Sequence, residues 1–323
     1  MASRVELGFR DAADRWLPRQ THLLAAVSGG ADSVALAHLL QRFARRREWT
    51  VTIAHLDHGL RRGSATDRRF VKRLANELEF ECVSTRRDVG ALRRRDESLE
   101  EAARRVRREF LMETVDEIGA DSVVTAHHRD DQAETVLMRL LRGVGPSSLR
   151  GIDPEGPGPF VRPLLQLERN QLRTWLTRNG WTWREDASNR DLRFDRNRVR
   201  RQLMPLLESS YNAQAADHLV RTAEQLRTDS AYLDRLATRA YRRIGSALSL
   251  DATALARQDP AVASRVAILA LRDAGMDPRR ITSRHVVSLL DLAQGCGGRS
   301  ADLPGRIRAV RRGDRIRIAR RRE

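Results

Sequence analysis

The chain has 323 residues, enough for two domains with sizeable cores, and its 60 basic against 43 acidic side chains leave a net charge of +17. No apolar stretch approaches membrane-spanning length and Met1 to Gln20 lacks the apolar core of a signal peptide; the two cysteines, Cys82 and Cys296, lie too far apart in sequence to suggest a disulfide framework or a cysteine metal site. The expectation is a cytoplasmic protein with a polyanionic partner, RNA first, because Lys72 is the only lysine and arginine suits bidentate phosphate contacts.

In chain order, Leu23 to Val27 reads as a buried strand and Val34 to Leu40 has helical spacing. Between them lies Ser28-Gly29-Gly30-Ala31-Asp32-Ser33. A strand that feeds a glycine pair and then a helix aims free N–H groups and the positive end of the helix dipole at one spot, where an anion binds. Gly29 and Gly30 permit positive φ and close approach, while Ser28 and Ser33 add hydroxyl donors. An ordinary strand-to-helix turn is the plainer alternative. The lysine of a Walker loop and the third glycine of a dinucleotide fingerprint are both missing.

Trp49 to His55 is a second strand, running into His55-Leu56-Asp57-His58-Gly59-Leu60-Arg61, and Ser64 with Asp67 makes a capping box for a helix through Glu79. Phe80 to Thr85 is a third strand with Cys82 in the core; after the basic connection Arg86 to Asp96, Ser98 and Glu101 cap a helix to about Ile118. Asp121 to Ala126 is a fourth strand that leads into His127-His128-Arg129-Asp130-Asp131-Gln132-Ala133-Glu134-Thr135 and a helix to Leu141. This alternation calls for an α/β fold with a doubly wound parallel sheet, whose ligands sit at the carboxyl ends of the strands. Ser28, His55 and His127 should therefore meet in one crevice.

The glycines and prolines from Gly143 to Pro163 mark a mobile, substrate-facing loop. Leu167 to Asn179 is helical, and Asp195 to Leu207 is a helix carrying Arg196, Arg198, Arg200 and Arg201 that Pro205 kinks or ends early. A boundary near Ser209-Ser210-Tyr211 divides residues 1–210 from a smaller, mainly helical α+β domain over 211–323. There, Ala213 to Ile244, Ala261 to Ala274 and Thr282 to Ala293 are helical. Arg306 to Ala319 reads as a hairpin with one basic face, whose arginines either bind RNA or simply keep a sheet edge solvated.

Three clusters carry chemistry. Glu100, Arg104 and Arg107 share one helix face, a spacing that helical ion pairing alone would explain. The acids Asp130 and Asp131 are either magnesium ligands or N-caps, with Glu134 one turn on and pointing to the same side. Neither the cluster His55, Asp57 and His58 nor the cluster His127, His128, Asp130 and Asp131 has a cysteine or third histidine to complete a zinc set, so magnesium held by carboxylate and phosphate fits better.

SGGADS resembles the pyrophosphate-binding loop of the ATP-pyrophosphatase families. Together with HLDHGLR, the ExxARxxR pattern from Glu100 to Arg107, AHHRDDQAET, Arg162-Pro163-Leu164-Leu165 and EDASNRDLRFDRNRVR, it resembles the tRNA(Ile)-lysidine synthetases over roughly residues 20 to 207. Arg108 departs from the pattern, standing where the family usually has an aromatic residue, and the second domain carries weaker motifs. The resemblance implies ATP-dependent ligation of free L-lysine to the wobble cytidine of a tRNA(Ile) with a CAU anticodon. It implies ATP and Mg2+ at Ser28, Gly29, Gly30, Ala31, Asp32, Ser33 and His55, with the metal at Asp131. Asp32, Arg104, Arg107, His128, Asp131 and Glu134 would be the catalytic set, and a homodimer is compatible with it. A tRNA-thiolating relative and a non-catalytic RNA-binding protein are the alternatives; the first would call for paired cysteines, the second leaves the phosphate loop unexplained.

Overall fold

The computed structural model describes residues 3–59, 64–95, 97–185, 191–246, 248–277, 280–295 and 300–320, without the side chains of residues 64 and 65. The Ser64 cap, Leu60 and Arg61, residues 186–190 of the EDASNRDLRFDRNRVR motif and Cys296 therefore lie outside the described residues. The chain divides into two compact units, Met1–Glu224 and Gln225–Glu323.

The first unit begins with α1 (Arg4–Trp16), β1 (His22–Ala26), α2 (Ala31–Arg47), β2 (Thr50–Asp57), α3 (Ser64–Glu77), β3 (Glu81–Arg86), the single turn α4 (Val89–Leu92) and α5 (Leu99–Ile118). It continues with β4 (Ser122–Val124), α6 (Arg129–Leu141), α7 (Pro146–Leu149), β5 (Phe160–Val161), α8 (Arg169–Arg178), α9 (Asp195–Arg198), a π-helical turn (Val199–Leu203) and α10 (Met204–Ser210). The strands form a parallel sheet in the order β3-β2-β1-β4-β5. Because side chains alternate along a strand, Leu23 and Ala25 of β1 enter one core with Leu36, Leu40 and Val71 of α2 and α3, while Leu24 enters a second with Val106 and Phe110 of α5. A sheet buried on both faces explains why the strands read as continuous apolar runs. The chain order reverses between β1 and β4, so the crevice outside their carboxyl ends is the expected ligand site.

Local signals account for the helix ends. Ser98 and Glu101 make the capping box of α5, and Gly119 closes that helix at φ +64°. The helix expected over Asp195 to Leu207 is real but not regular. Pro205 has no N–H for the carbonyl four residues back, and the chain passes through the π turn, with the Met204 N–H donating to the Val199 carbonyl, before it resumes as α10. Two expectations for Gly143 to Pro163 need correction. The segment contains β5, and side chains pin it: Gln132 accepts from the Ile152 N–H and donates to the Ile152 carbonyl, Arg139 donates to the carbonyls of Ser148 and Gly151, and Arg162 donates to that of Asp153. Arg108 lies over the Phe160 ring at 4.5 Å and donates to the Pro157 carbonyl, so its flat guanidinium packs where an aromatic side chain was expected.

The division between the units falls within the long helix α11 (Ala215–Ile244), beyond the boundary read near Ser210, which lies between α10 and α11. The second unit contains β6 (Gly245–Ser246), β7 (Ser249–Asp251), α12 (Ala252–Ala256), α13 (Pro260–Asp273), α14 (Ser283–Gln294), β8 (Ser300–Leu303), β9 (Ile307–Arg312) and β10 (Arg315–Arg320). Its sheet is antiparallel in the order β6-β7-β10-β9-β8. Ile307, Ala309, Ile316 and Ile318 are buried with Val266 and Leu289 of α13 and α14. The expected hairpin is thus the centre of a larger sheet.

Candidate active site

β1 ends at Ala26 and the chain turns into α2 through Ser28 to Gly30. Gly29 sits at φ +92°, and a Cβ there would meet Phe70 and Val71 at 3.4 Å. Ser33 builds the loop from below: its Oγ accepts the N–H groups of Ser28 and Gly29, each at 3.2 Å, and donates to the Gly30 carbonyl at 2.9 Å. Gly30 is the N-cap of α2 and supplies no side-chain cap, which leaves the first-turn N–H groups and the helix dipole to an anion.

Opposite the loop, α6 starts directly after β4. His128 caps it and is fully buried, with its Nδ1 accepting the Asp131 N–H at 3.3 Å while the Asp131 carboxylate accepts the His128 N–H at 3.1 Å. The cap is therefore His128, not either aspartate. Asp130 instead accepts the Arg169 N–H at the start of α8, 2.9 Å away. His128 Nε2 lies 3.4 Å from Asp32 and 3.5 Å from Asp131. Burial works against its charge while the surrounding acids Asp131, Asp130 and Asp32 push its pKa up to about 9, but the cap needs Nδ1 without a proton, so a charged ring would give up the Asp131 N–H bond. The same burial opposes ionisation of Asp131, but the His128 and Arg196 charges hold that carboxyl well below its usual range.

Asp131 and Glu134 are held from the other side by two arginines. Arg196 donates to Glu134 at 2.9 Å and to Asp131 at 2.8 Å; Arg200 donates to Glu134 at 2.5 and 3.0 Å and to Asp131 at 3.2 Å. These arginines stand four apart, one face of a helical turn, and their residue types within RNRVR were the available signal. Reasoning from sequence did not place them in the site.

A cavity of about 340 Å3 lies between the loop and the acid cluster, lined by Ser28, Gly30, Asp32, Ser33, Arg107, Asp131, Arg196 and Arg200, with Ala54, Leu56 and Phe110 as an apolar wall. Of the predicted set, Gly29, Ala31, His55, Arg104, His128 and Glu134 are not part of this lining. His55 is buried and its Nδ1 meets the Val27 carbonyl at 2.9 Å, bracing the end of β1, while His58 reaches the cavity. Burial lowers the His55 pKa, so the neutral ring donates there. His127 also lines the cavity, and burial lowers its pKa to about 3.

Arg104 and Arg107 have no hydrogen-bond or ion-pair partner among the described residues, so helical ion pairing is not what holds them. Arg107 opens onto the cavity, but the protein around it and the like charges of Arg104 and Arg196 lower its pKa. An anion relieves that repulsion. For a cation, Asp32 offers Oδ1, which is buried with no hydrogen-bond partner among the described residues. Both oxygens of Asp131 are already engaged by Arg196, Arg200 and the His128 N–H.

Residues 3–207 match the family model of the PP-loop domain, the class of nucleotide-binding protein that this sheet and loop define. The chain is 40% identical over 312 residues to a tRNA(Ile)-lysidine synthase of Geobacter sulfurreducens, covering 93% of this chain and 65% of that protein, and 37% identical over 308 residues to one of Salinispora tropica, covering 93% and 91%. It belongs to the tRNA(Ile)-lysidine synthase family. One from Thermus thermophilus is 44% identical over 230 residues, covering 71% of this chain and 44% of the relative. The chain thus spans the Salinispora relative almost fully and less than two thirds of several others. Among solved structures, the fold is similar to that of the U34-tRNA thiolase NcsA from Methanococcus maripaludis with its [4Fe-4S] cluster, at a TM-score of 0.57, 14% identity and coverage of 69% of this chain and 80% of that one.

Proposed function

We propose that the protein ligates lysine to C2 of the wobble cytidine in the CAU anticodon of tRNA(Ile). ATP adenylates the cytidine O2 with release of pyrophosphate, and the ε-amino nitrogen of free lysine then attacks C2 and displaces AMP. The carrying observation is the juxtaposition, across one cavity, of an anion-ready phosphate loop and an acid pair fixed by two arginines.

In this reading Ser28, Gly29, Gly30, Ala31 and Ser33 form the loop that cradles the ATP phosphates, and the apolar wall at Ala54, Leu56 and Phe110 receives the adenine. Asp32 is the residue suited to hold Mg2+, which when bound offsets the charge developing on pyrophosphate. Holding the ion at Asp131 requires that Arg196 or Arg200 let go. Arg107 meets the nucleotide phosphate from the cavity wall, and Arg104, one turn earlier, extends that positive potential. His128 is too buried to touch substrate, so its part is to hold Asp32 and Asp131 in place. Asp131 and Glu134 attract the lysine cation, in competition with the guanidinium groups that now cover them. No helix among the described residues is long and apolar enough to cross a membrane, in keeping with work in the cytoplasm on tRNA. The division of labour follows: residues 1–210 for ATP and chemistry, and 211–323 for tRNA recognition.

The test is to incubate the protein with tRNA(Ile) bearing CAU, ATP and radiolabelled lysine. Label should become acid-precipitable in step with pyrophosphate release. Pyrophosphate release without label transfer would overturn the lysine step, and neither product would overturn the reading as a whole.

A further inference from the structure

Between α8 and the EDASN motif, the segment Trp181 to Glu185 crosses the outer side of the phosphate loop, and nothing in the chemistry above uses it. Its anchors fall on four different elements. Trp181 stacks on His38 of α2 with ring centroids 3.7 Å apart and 9° between planes, and Trp175 of α8 meets it edge-on at 5.0 Å. Burial lowers the His38 pKa to about 4, so a neutral ring lies against the indole. The Arg184 N–H donates to the Gly29 carbonyl at 2.9 Å. The Arg184 guanidinium reaches the buried carboxylate of Asp67 on α3 at 3.4 Å, and Glu185 pairs with Arg173 of α8 at 3.4 Å.

Gly29 is the point of the loop with positive φ; Ser33 Oγ takes the N–H groups of Ser28 and Gly29, and the Gly29 carbonyl must turn away from the anion for the first-turn N–H groups of α2 to face it. α3 supports this turn through Phe70 and Val71, close enough to touch a Cβ at Gly29. The Arg184 N–H supplies the donor for the outward carbonyl, and the ion pair to Asp67 fixes that donor against the same helix. We propose that Trp181 to Glu185 is a brace that presets the phosphate loop for ATP and that Arg184 is its positioning residue, paired with Asp67. Arg184 touches no reacting atom; it acts through Gly29.

The proposal rests on the loop binding ATP, and direct ATP binding by the full-length protein separates the two. With Mg2+ and no tRNA, the wild type should bind ATP by calorimetry, whereas Arg184→Ala and Asp67→Asn should each weaken binding about three- to tenfold, the range of a partly exposed charge-assisted bond. The double variant should be no weaker than the worse single, and Arg184→Lys should recover most of the affinity. In turnover, the KM for ATP should rise while that for lysine stays constant. If the wild type binds no ATP, the reading of the loop fails and the brace with it. Wild-type binding with unchanged affinity in both single variants overturns the brace alone, as does a rise in both KM values together with a lowered melting temperature.

Discussion

Asp32 stands where three demands meet: it opens α2 behind the phosphate loop, faces His128, and keeps one buried oxygen without a protein donor. Asp32→Ala should reduce pyrophosphate release by at least about a hundredfold while tRNA binding in a gel shift is nearly unchanged, since losing one charge-stabilising group costs of that order. Retained pyrophosphate release would take Asp32 out of the site. Glu134 poses a different problem, because its carboxylate is almost fully buried between two guanidinium groups. Glu134→Gln should cost about 3 kcal/mol in denaturant unfolding through the uncompensated arginines, and should raise the KM for lysine much more than that for ATP. Equal rises would make Glu134 only the anchor of the clamp. His38 carries a pH signature. Its folded pKa, near 4, lies below the 6.5 of a free histidine, so the unfolded chain takes up a proton first as pH falls. The stability from burying the neutral ring is complete above pH 6.5, declines between 6.5 and 4, and changes no further below that. At pH 5 the loss is about 2 kcal/mol relative to neutral pH. His38→Phe keeps a ring against Trp181 and should flatten this part of the stability profile, read by chemical denaturation with tryptophan fluorescence.

Among the elements, those whose signals are local were legible. The Ser98–Glu101 capping box needs four residues, and the apolar runs of β1, β2 and β4 are set by burial on both faces. β5 was not, because two residues between Pro159 and Pro163 show no period and owe their strand to pairing with β4. In the second unit β7 and β8 are short and carry Ser and Asp, so only their neighbours make them strands. The site divides in the same way. Ser28, Gly30, Asp32 and Asp131 announce themselves by residue type at strand ends, whereas the contact of Arg196 with Glu134 joins positions 62 apart. The Gly143 to Pro163 segment shows composition misleading in the other direction: glycine and proline suggested mobility, whereas side chains of Gln132, Arg139 and Arg162 hold its backbone. Gln132 is 1% exposed and satisfies both backbone groups of Ile152. Gln132→Leu removes its two bonds to Ile152, so it should destabilise the protein by about 2 kcal/mol in urea and speed hydrogen exchange at the Ile152 amide. Unchanged exchange there would mean that Arg139 and Arg162 hold the segment without Gln132.

At the scale of the molecule, the charge excess needs a destination, and the second unit offers a surface whose own geometry is unfavourable without an anion. On the exposed face of its sheet, Arg312 of β9 lies directly opposite Arg315 of β10, and Arg317 follows on the same side. Like charges directly across a sheet destabilise it, and although Asp251 of β7 is the other neighbour of Arg315, three arginines face one acid in this row and the next. RNA phosphates would relieve that repulsion. Under the proposed function a second recognition surface is also demanded by specificity, since a methionine tRNA shares the CAU anticodon before modification and the reacting base cannot tell the two apart. Phosphate contacts supply affinity and register more than base information, so substitution here should weaken binding and loosen placement of the RNA together. The triple variant Arg312→Gln, Arg315→Gln, Arg317→Gln should bind tRNA(Ile) less tightly, with the slope of log affinity against log salt shallower by about 2 to 3. The KM for ATP should not move, because the residues lining the cavity all precede Glu224. The ratio of activities on the isoleucine and methionine tRNAs should fall as well. An unchanged slope with an unchanged ratio would place recognition in the first unit, where Arg193 and Arg198 beside the acid clamp are the next arginines to substitute.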